Sequence, residues 1–341
     1  MADIAPASMR ILDATCGDGP MPRLFVVFVL AIVPLASLTA QQPAGTSPLS
    51  VVPVQGKVHM ISGAGVNITV HIGKYGVLLV DTPPPAIASR VMDEVKKLSN
   101  LPLRWVINTS SSPEHIAGNA ALVAPFIGRG SGGAPFGFVG LGRPSVVAQE
   151  NVLNRLSNPP PGSSPTPPDA LPTTTYFLPS MDFSNGEAIV LYHQPAAHTD
   201  GDTVVLFRGS DVISTGAVFT PGRYPVIDVA RGGSAKGLIA ALTSILALAV
   251  PEGFASGGTL IVPAHGRICE ESDVAEFRDM VVIIRDRVQD LITKGMTWEQ
   301  IKASRPSRDY DTEYGANAAA ADRFVESIYR SLTQAPRGGR S

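Results

Sequence analysis

The chain has 341 residues, of which 44% are hydrophobic and 16% charged, so it can bury a substantial core in one large or two smaller domains. A formal net charge of −2 gives no reason to expect a nucleic-acid partner or binding to an anionic membrane surface. These values favour an ordinary globular protein of enzyme size, with a small molecule as its partner.

The N-terminus has the layout of an export signal. From Met21 the chain has one basic residue, Arg23, then the apolar run Leu24–Leu38 and a small residue before a polar break. The run is shorter than the roughly 20 residues of a membrane span, so a cleaved secretory signal is favoured over a span or a buried N-terminal helix. We predict an N-terminal extension and signal peptide over 1–40, with Met21 as the true start, and a periplasmic or secreted protein without a stable membrane span. The oligomeric state is left open.

Apolar patterns then predict strands and helices in alternation over a domain at 41–335, followed by a tail at 336–341. The helix at 272–294 carries apolar residues at spacings of three and four, the signature of one face packed on a sheet. Strands in both halves of the chain, with helices between and after them, favour an α/β protein with two packed sheets and helices outside. The predicted strands are 51–54, 57–62, 66–72, 76–81, 103–108, 187–194, 203–208, 211–216 and 259–263. The predicted helices are 86–99, 235–249, 272–294, 297–304 and 319–333.

A Gly- and Pro-rich segment at about 127–175 interrupts this pattern, with one short helix-like piece around 147–156. Segments of this length often cover a site, so we predict a flexible flap insertion. Gly128, Gly130 and Gly133 have the spacing of a dinucleotide-binding fingerprint. No acidic residue follows at the distance that such a βαβ unit requires, so the flap is the better interpretation.

The most informative segment follows the predicted strand 103–108. It reads Asn-Thr-Ser-Ser-Ser-Pro-Glu-His, with Ser110, Ser112, Glu114 and His115 at the spacing of a metal-binding loop. It resembles the loop N-T-H-x-H-x-D-H-x-x-G-N of the metallo-β-lactamase superfamily. The resemblance places the two serines where that family has histidines and the glutamate where it has aspartate, so only His115 matches a ligand.

Other landmarks of the same family follow in its order across roughly 50–335. Asp81 ends a strand in Gly-Val-Leu-Leu-Val-Asp-Thr, His198 precedes Thr-Asp-Gly, and His265 stands in Pro-Ala-His-Gly. Ala217 occupies the place of an aspartate that bridges two metals in the family. The chain is similar to an exported bacterial subgroup, and this resemblance implies a four-layer αββα metallo-β-lactamase sandwich with an incomplete set of metal ligands.

The remaining ligand positions suggest at most one zinc ion. The resemblance implies that His115, His265 and Glu114 hold it, with His198 as a replacement ligand, and that a bound water becomes the nucleophile. Glutamate reaches one methylene farther than aspartate, whereas metal–ligand distances tolerate only about 0.2 Å. The candidate catalytic residues are Glu114 and His198, in a hydrolase acting on a lactam, lactone, ester or thioester.

Two alternatives stay open at the level of sequence. In the first, the histidines form a neutral cluster in a metal-free pseudoenzyme that binds a small molecule. In the second, Ser112 or Ser110 is a nucleophile with His115 or His198 as its base, although the sequence shows no orienting carboxylate or oxyanion hole. The other histidines stand in strand-like runs without motif partners and are expected to be ordinary hydrogen-bonded or surface residues: His59, His71 and His193.

Overall fold

The computed structural model describes residues 48–126, 142–160, 162–251, 253, 257–315 and 317–334. The chain divides into two units, Met1–Gln42 and Pro43–Ser341, and all described residues belong to the second. The predicted extension and signal peptide at 1–40 therefore lies outside the described residues. Among the helices that are described, none is both long and apolar enough to cross a membrane.

The first sheet has seven strands in sequential order. β1 to β4 pair antiparallel, whereas β4, β5, β6 and β7 run parallel to one another. Its strands are β1 (Ser50–Gln55), β2 (Val58–Ser62), β3 (Ile68–Ile72), β4 (Val77–Val80), β5 (Leu103–Asn108), β6 (Ser145–Gln149) and β7 (Thr174–Tyr176).

The second sheet has five strands in the order β12-β11-β10-β9-β8. β11 and β12 pair parallel, and the other neighbours pair antiparallel. Its strands are β8 (Ser180–Ser184), β9 (Ala188–Gln194), β10 (Asp202–Phe207), β11 (Val212–Gly216) and β12 (Leu260–Pro263).

The five predicted helices are present in the described part of the chain, together with shorter ones. In the helix at Glu271–Thr293, Val274, Phe277 and Val281 are buried on the face toward the sheet, and a capping box of Glu270 and Asp273 fixes its start. The helices are α1 (Ala88–Leu98), α2 (Pro113–Ile116), α3 (Asn119–Val123), α4 (Glu150–Ser157), α5 (Ala235–Leu248), α6 (Glu271–Thr293), α7 (Trp298–Ser304), α8 (Asp311–Tyr314) and α9 (Ala318–Thr333).

Three apolar clusters define four layers. One lies between the sheets, a second joins the outer face of the first sheet to α1 and α3, and a third joins the outer face of the second sheet to α5, α6 and α9. The predicted αββα sandwich is therefore confirmed. Side chains that meet between the sheets include Met60, Leu78, Ile107, Leu191, Phe207 and Val262.

The segment predicted as a flap at 127–175 differs from expectation in its described part. The piece expected as a helix at 147–156 is a strand, β6, followed directly by α4. β6 and β7 extend the first sheet because Val146, Val147 and Ala148 are completely buried in it. The glycines of the rejected dinucleotide fingerprint lie in 127–141, outside the described residues.

Strand direction brings the motif loops to one edge of the sandwich. β4 and β5 are parallel, as are β11 and β12, so each pair ends at the same edge of its sheet. A hydrogen bond from Thr203 N to Thr109 O, 2.9 Å long, joins the two sheets there. The loops that follow these strands carry the predicted site residues.

Candidate functional site

The structure brings the predicted site residues together in two groups. The carboxylate half of the cleft consists of Asp81, Glu114, His115 and His265. The serine half consists of Ser112, His198 and the main-chain carbonyl of Val226.

Two other predicted positions lie outside these groups. Ser110 is buried, and its Oγ accepts a 3.4 Å hydrogen bond from Ser112 N. Ala217 follows β11 and has no polar side-chain atom.

In the carboxylate half, Asp81 holds the imidazole of His115. His115 Nδ1 donates to Asp81 Oδ2 over 2.7 Å, and both side chains are buried. The same carboxylate accepts hydrogen bonds from Thr109 N at 2.8 Å and Thr109 Oγ1 at 2.7 Å. Asp81 has a φ of 64°, a backbone conformation that non-glycine residues adopt rarely. This arrangement fixes the ring so that Nε2 faces away from Asp81.

The main chain of His115 is fixed as firmly as its ring. Its carbonyl oxygen accepts hydrogen bonds from Asn108 Nδ2 at 3.1 Å and from Thr82 N and Oγ1, each at 3.2 Å. Asn108 is itself held by reciprocal amide hydrogen bonds with Asn119 at 2.8 and 3.0 Å. The Asn-Thr and Gly-Asn segments at the two ends of the motif therefore fix the main-chain conformation of the loop between them.

Glu114 lies between two imidazoles. Its Oε1 is 3.6 Å from His115 Nε2, and its Oε2 is 3.3 Å from His265 Nε2. The first distance is too long for a hydrogen bond. The buried His115 Nε2 has no hydrogen-bond partner among the described residues, so its attraction to Glu114 is electrostatic. The side chain of Glu114 is 51% exposed, and its carboxylate forms the open side of this half.

The charges in this half reinforce one another. The imidazoles of His115 and His265 hold the pKa of Glu114 well below its usual range, although partial burial acts in the opposite direction. Burial lowers the pKa of His115, but the charges of Asp81 and Glu114 outweigh it and raise that pKa to about 10. His115 is therefore a cation at neutral pH, between two carboxylates.

A buried asparagine that the sequence did not single out supports His265. Asn67 Nδ2 donates to Pro263 O and to Gly266 O, each at 2.9 Å, and Asn67 N donates to Ala264 O at 2.7 Å. These three hydrogen bonds fix the turn that carries His265 after β12. An asparagine just before a strand gives no sequence signal of a contact about 200 residues away.

The serine half has a different chemistry. Ser112 Oγ lies 3.0 Å from His198 Nε2, and His198 Nδ1 lies 2.8 Å from Val226 O. A carbonyl oxygen only accepts hydrogen bonds, so Nδ1 carries a proton. In the neutral ring Nε2 is then an acceptor, and the Ser112 hydroxyl donates to it. Sequence reasoning proposed this pair but missed Val226, because a main-chain carbonyl leaves no trace in residue identity.

Tight loop packing holds His198 in place. Its main-chain oxygen accepts a 2.9 Å hydrogen bond from Asp228 N. Asp202 accepts from Thr199 N and Thr199 Oγ1, each at 2.7 Å, and closes the turn that follows. A Cβ on Gly233 would lie 2.2 Å from His198 O, so only glycine allows this approach. The family-like Thr-Asp-Gly-Asp sequence therefore shapes the turn and positions the histidine.

The residues as arranged do not form the predicted zinc site. Zinc in proteins is held by histidine, cysteine and carboxylate ligands at about 2.0–2.3 Å, converging on one point. Within the described part of the chain, no three histidine, cysteine, aspartate or glutamate side chains are grouped so that they could hold a metal ion. The Glu114 carboxylate instead spans the space between the two imidazoles, and neutral serines replace the other ligands.

Comparison with known proteins identifies the fold. No family model matches the chain, and no curated protein matches it. Among solved structures, the sec-alkylsulfatase Pisa1 from Pseudomonas sp. is similar with a TM-score of 0.63 and 15% identity, over 84% of this chain and 50% of that one. The metallo-β-lactamase from Pontibacter korlensis is similar with a TM-score of 0.52 and 16% identity, over 69% and 99%. The metallo-β-lactamase DIM-1 gives 0.52 and 15%, over 69% and 98%.

This protein has the metallo-β-lactamase fold. The predicted family resemblance is confirmed at that level, because two of these structures are covered almost completely. The chain spans about half the length of the alkylsulfatase. At such low identity the similarity shows the fold alone, and the chemistry has to be argued from the cleft itself.

Proposed function

We propose that this protein is an exported, metallo-β-lactamase-fold hydrolase of small molecules whose cleft works without a bound metal ion. The observation that carries the proposal is the 3.0 Å hydrogen bond between Ser112 Oγ and His198 Nε2, at two positions where the family resemblance implies metal ligands. The fold supports the hydrolase class. The histidines that match the family's ligand positions, together with Glu114, lie beyond the strand ends at one edge of the two sheets.

The carboxylate half contains its own counter-charges. The buried His115 cation is balanced by Asp81 on one nitrogen and faces Glu114 on the other. A histidine must be neutral at the nitrogen that binds a metal, so a metal would compete with the proton that the Asp81 and Glu114 carboxylates stabilise on His115 by raising its pKa.

A single-zinc hydrolase is the second candidate, and one observation favours it. His115 Nδ1 donates to the Asp81 carboxylate, the same contact that orients zinc-binding histidines in metalloproteins. Glu114, His115 and His265 would then hold the ion after rearrangement, and the ion would supply an activated water.

Elemental analysis and thermal unfolding distinguish the two candidates. Protein purified without chelator is expected to contain no stoichiometric zinc, and its unfolding midpoint should not change with added zinc or EDTA. A site filled at 100 times its Kd would add about 2.7 kcal/mol, which such a measurement detects easily. Stoichiometric zinc whose removal abolishes hydrolysis would overturn the metal-free proposal.

A substrate panel then distinguishes a hydrolase from a binding protein. Metal-free protein should hydrolyse at least one class among esters, lactones, thioesters and lactams. If it folds fully and turns over none of them, the protein is a small-molecule-binding pseudoenzyme. Export rests on the sequence features of 21–40, and mature protein from the envelope of the producing cell should begin near Gln41.

A further inference from the structure

We infer that Ser112 is an acyl-accepting nucleophile with His198 as its general base, and that this pair hydrolyses small, uncharged esters or lactones. The inference rests on the proposed metal-free function and assigns the reaction to the serine half of the cleft. The pair has the geometry that nucleophilic catalysis requires, with the hydroxyl 3.0 Å from the basic nitrogen.

A third group orients the base. His198 Nδ1 donates to Val226 O over 2.8 Å, which fixes the tautomer in which Nε2 accepts the serine proton. In serine hydrolases a carboxylate often has this orienting role. Here a main-chain carbonyl performs it, and the Asp228 N to His198 O hydrogen bond holds the same segment against the histidine.

The reaction consumes only the ester or lactone and one water molecule. Ser112 Oγ attacks the acyl carbon, and its proton passes to His198 Nε2. The ester C–O bond breaks, and His198 returns the proton to the leaving alkoxide. Water then attacks the acyl-serine, giving a proton to His198 Nε2; the Oγ–C bond breaks, and Ser112 recovers the proton as the carboxylic acid leaves.

Burial and charge define the substrate class. Ser112 and His198 are 7% and 6% exposed, so only a small acyl group can approach them. Glu114, two residues after Ser112 in the sequence, is half exposed and has a carboxylate side chain. Its charge opposes anionic acyl groups, so the cleft should prefer uncharged esters over their carboxylated analogues.

Covalent labelling tests the nucleophile directly. The full chain is incubated with a fluorophosphonate probe in EDTA, and the modified peptide is identified by mass spectrometry. We expect one label per chain, on Ser112. The parent protein alone can overturn the inference, because a label confined to another serine, or no label on folded metal-free protein, contradicts it.

Variants test the base and exclude a merely structural role. His198→Gln keeps a donor for Val226 O but removes the base, so labelling and p-nitrophenyl acetate hydrolysis should each slow by about 100-fold. Ser112→Ala should abolish labelling, and Ser214→Ala is its matched control, because each removes one buried serine hydroxyl; that of Ser214 accepts from Thr69 Oγ1 at 3.1 Å. The control should label at the parental rate, and equal slowing in both variants would contradict the assignment.

The substrate preference has its own measurement. The ratio of kcat/KM for p-nitrophenyl acetate over p-nitrophenyl hemisuccinate should be above one in the parent, should fall in Glu114→Gln and should persist in Glu114→Asp. The same ratio in the parent and in Glu114→Gln would contradict the inferred preference for uncharged substrates. Failure of this inference leaves the proposed function standing, because that depends on zinc content and on EDTA-resistant hydrolysis of any substrate.

Discussion

The two halves of the cleft hold their histidines in opposite ways. In the carboxylate half, a buried carboxylate accepts the Nδ1 proton of His115, and the other nitrogen faces Glu114. In the serine half, a neutral carbonyl accepts the Nδ1 proton of His198, and the other nitrogen faces the Ser112 hydroxyl. Ser112 and Glu114 lie two positions apart, at the start of α2, so three consecutive residues contribute to two different electrostatic environments.

The difference shows that the hydrogen-bond partner of Nδ1 determines whether Nε2 of the same imidazole can accept a proton. The Asp81 carboxylate stabilises a positive ring, which cannot accept a proton from a nucleophile. The Val226 carbonyl fixes a tautomer without adding charge, so His198 Nε2 keeps its lone pair for Ser112. The carboxylate half is therefore structural and electrostatic, and the serine half is the one suited to proton transfer.

The largest difference between the two halves is expected in the loss of stability when the carboxylate of one half or the hydroxyl of the other is removed. Asp81→Asn leaves the buried His115 cation without its counter-charge, and we expect a loss of about 3–5 kcal/mol in the free energy of unfolding. Ser112→Ala removes one neutral hydrogen bond and should cost about 1 kcal/mol. Urea unfolding measures both, and equal losses would show that the halves do not differ in charge.

A third histidine, at the opposite edge of the sheets, supplies a reference for the carboxylate half. His71 is buried, its Nε2 is 2.9 Å from Glu187 Oε1, and its Nδ1 is 3.2 Å from Asn185 Nδ2. Burial would raise the pKa of Glu187, but the hydrogen bonds from His71 and Ser210 lower it to about 2.

Because the folded-state pKa of Glu187 is depressed, its contribution to stability is present above about pH 4.5 and is lost as the pH falls toward 2. The magnitude is on the order of 3 kcal/mol. Unfolding curves from pH 6 to pH 3 should therefore converge for the parent and Glu187→Gln. A constant difference between them over this range would mean that packing, not ionisation, accounts for the pair.

A smaller loss of stability than for Asp81→Asn is expected in the loop that supports His198. Gly233→Ala places a methyl group against His198 O and should cost about 1–3 kcal/mol. It should also move His198 relative to Ser112, so labelling of Ser112 slows while the His115 side is unchanged. Gly253→Ala is the control, because Gly253, like Gly233, has no positive φ and a Cβ there meets no described atom within 4 Å.

Much of the fold could be predicted because its signals are local. The apolar stripe of α6 and the strand 103–108 appear at the expected positions, and the motif order indicated which loops share an edge. β6 and α4 were harder to predict, because the Gly- and Pro-rich residues on either side concealed one short buried strand. The strand β8 alternates exposed and half-buried residues without a continuous apolar run and was missed.

The site was predictable only where side chains carry the information. Glu114, His115, His198 and His265 were identified from their motifs, and the pairing of Ser112 with His198 was one of several combinations left open. The contacts that decide among those combinations involve main-chain atoms or distant residues, such as the Val226 carbonyl and the Asn67 amide. Residue identity does not encode which carbonyl faces a given ring.

The position of Glu114 also bears on how the protein matures. An enzyme that depends on zinc is completed only when its compartment supplies the ion, and it can be inactivated wherever chelators compete for that ion. Here the group that faces both imidazoles is part of the polypeptide, so it cannot be lost by dilution or chelation. Under the proposed metal-free function, the site would be complete as soon as the chain folds.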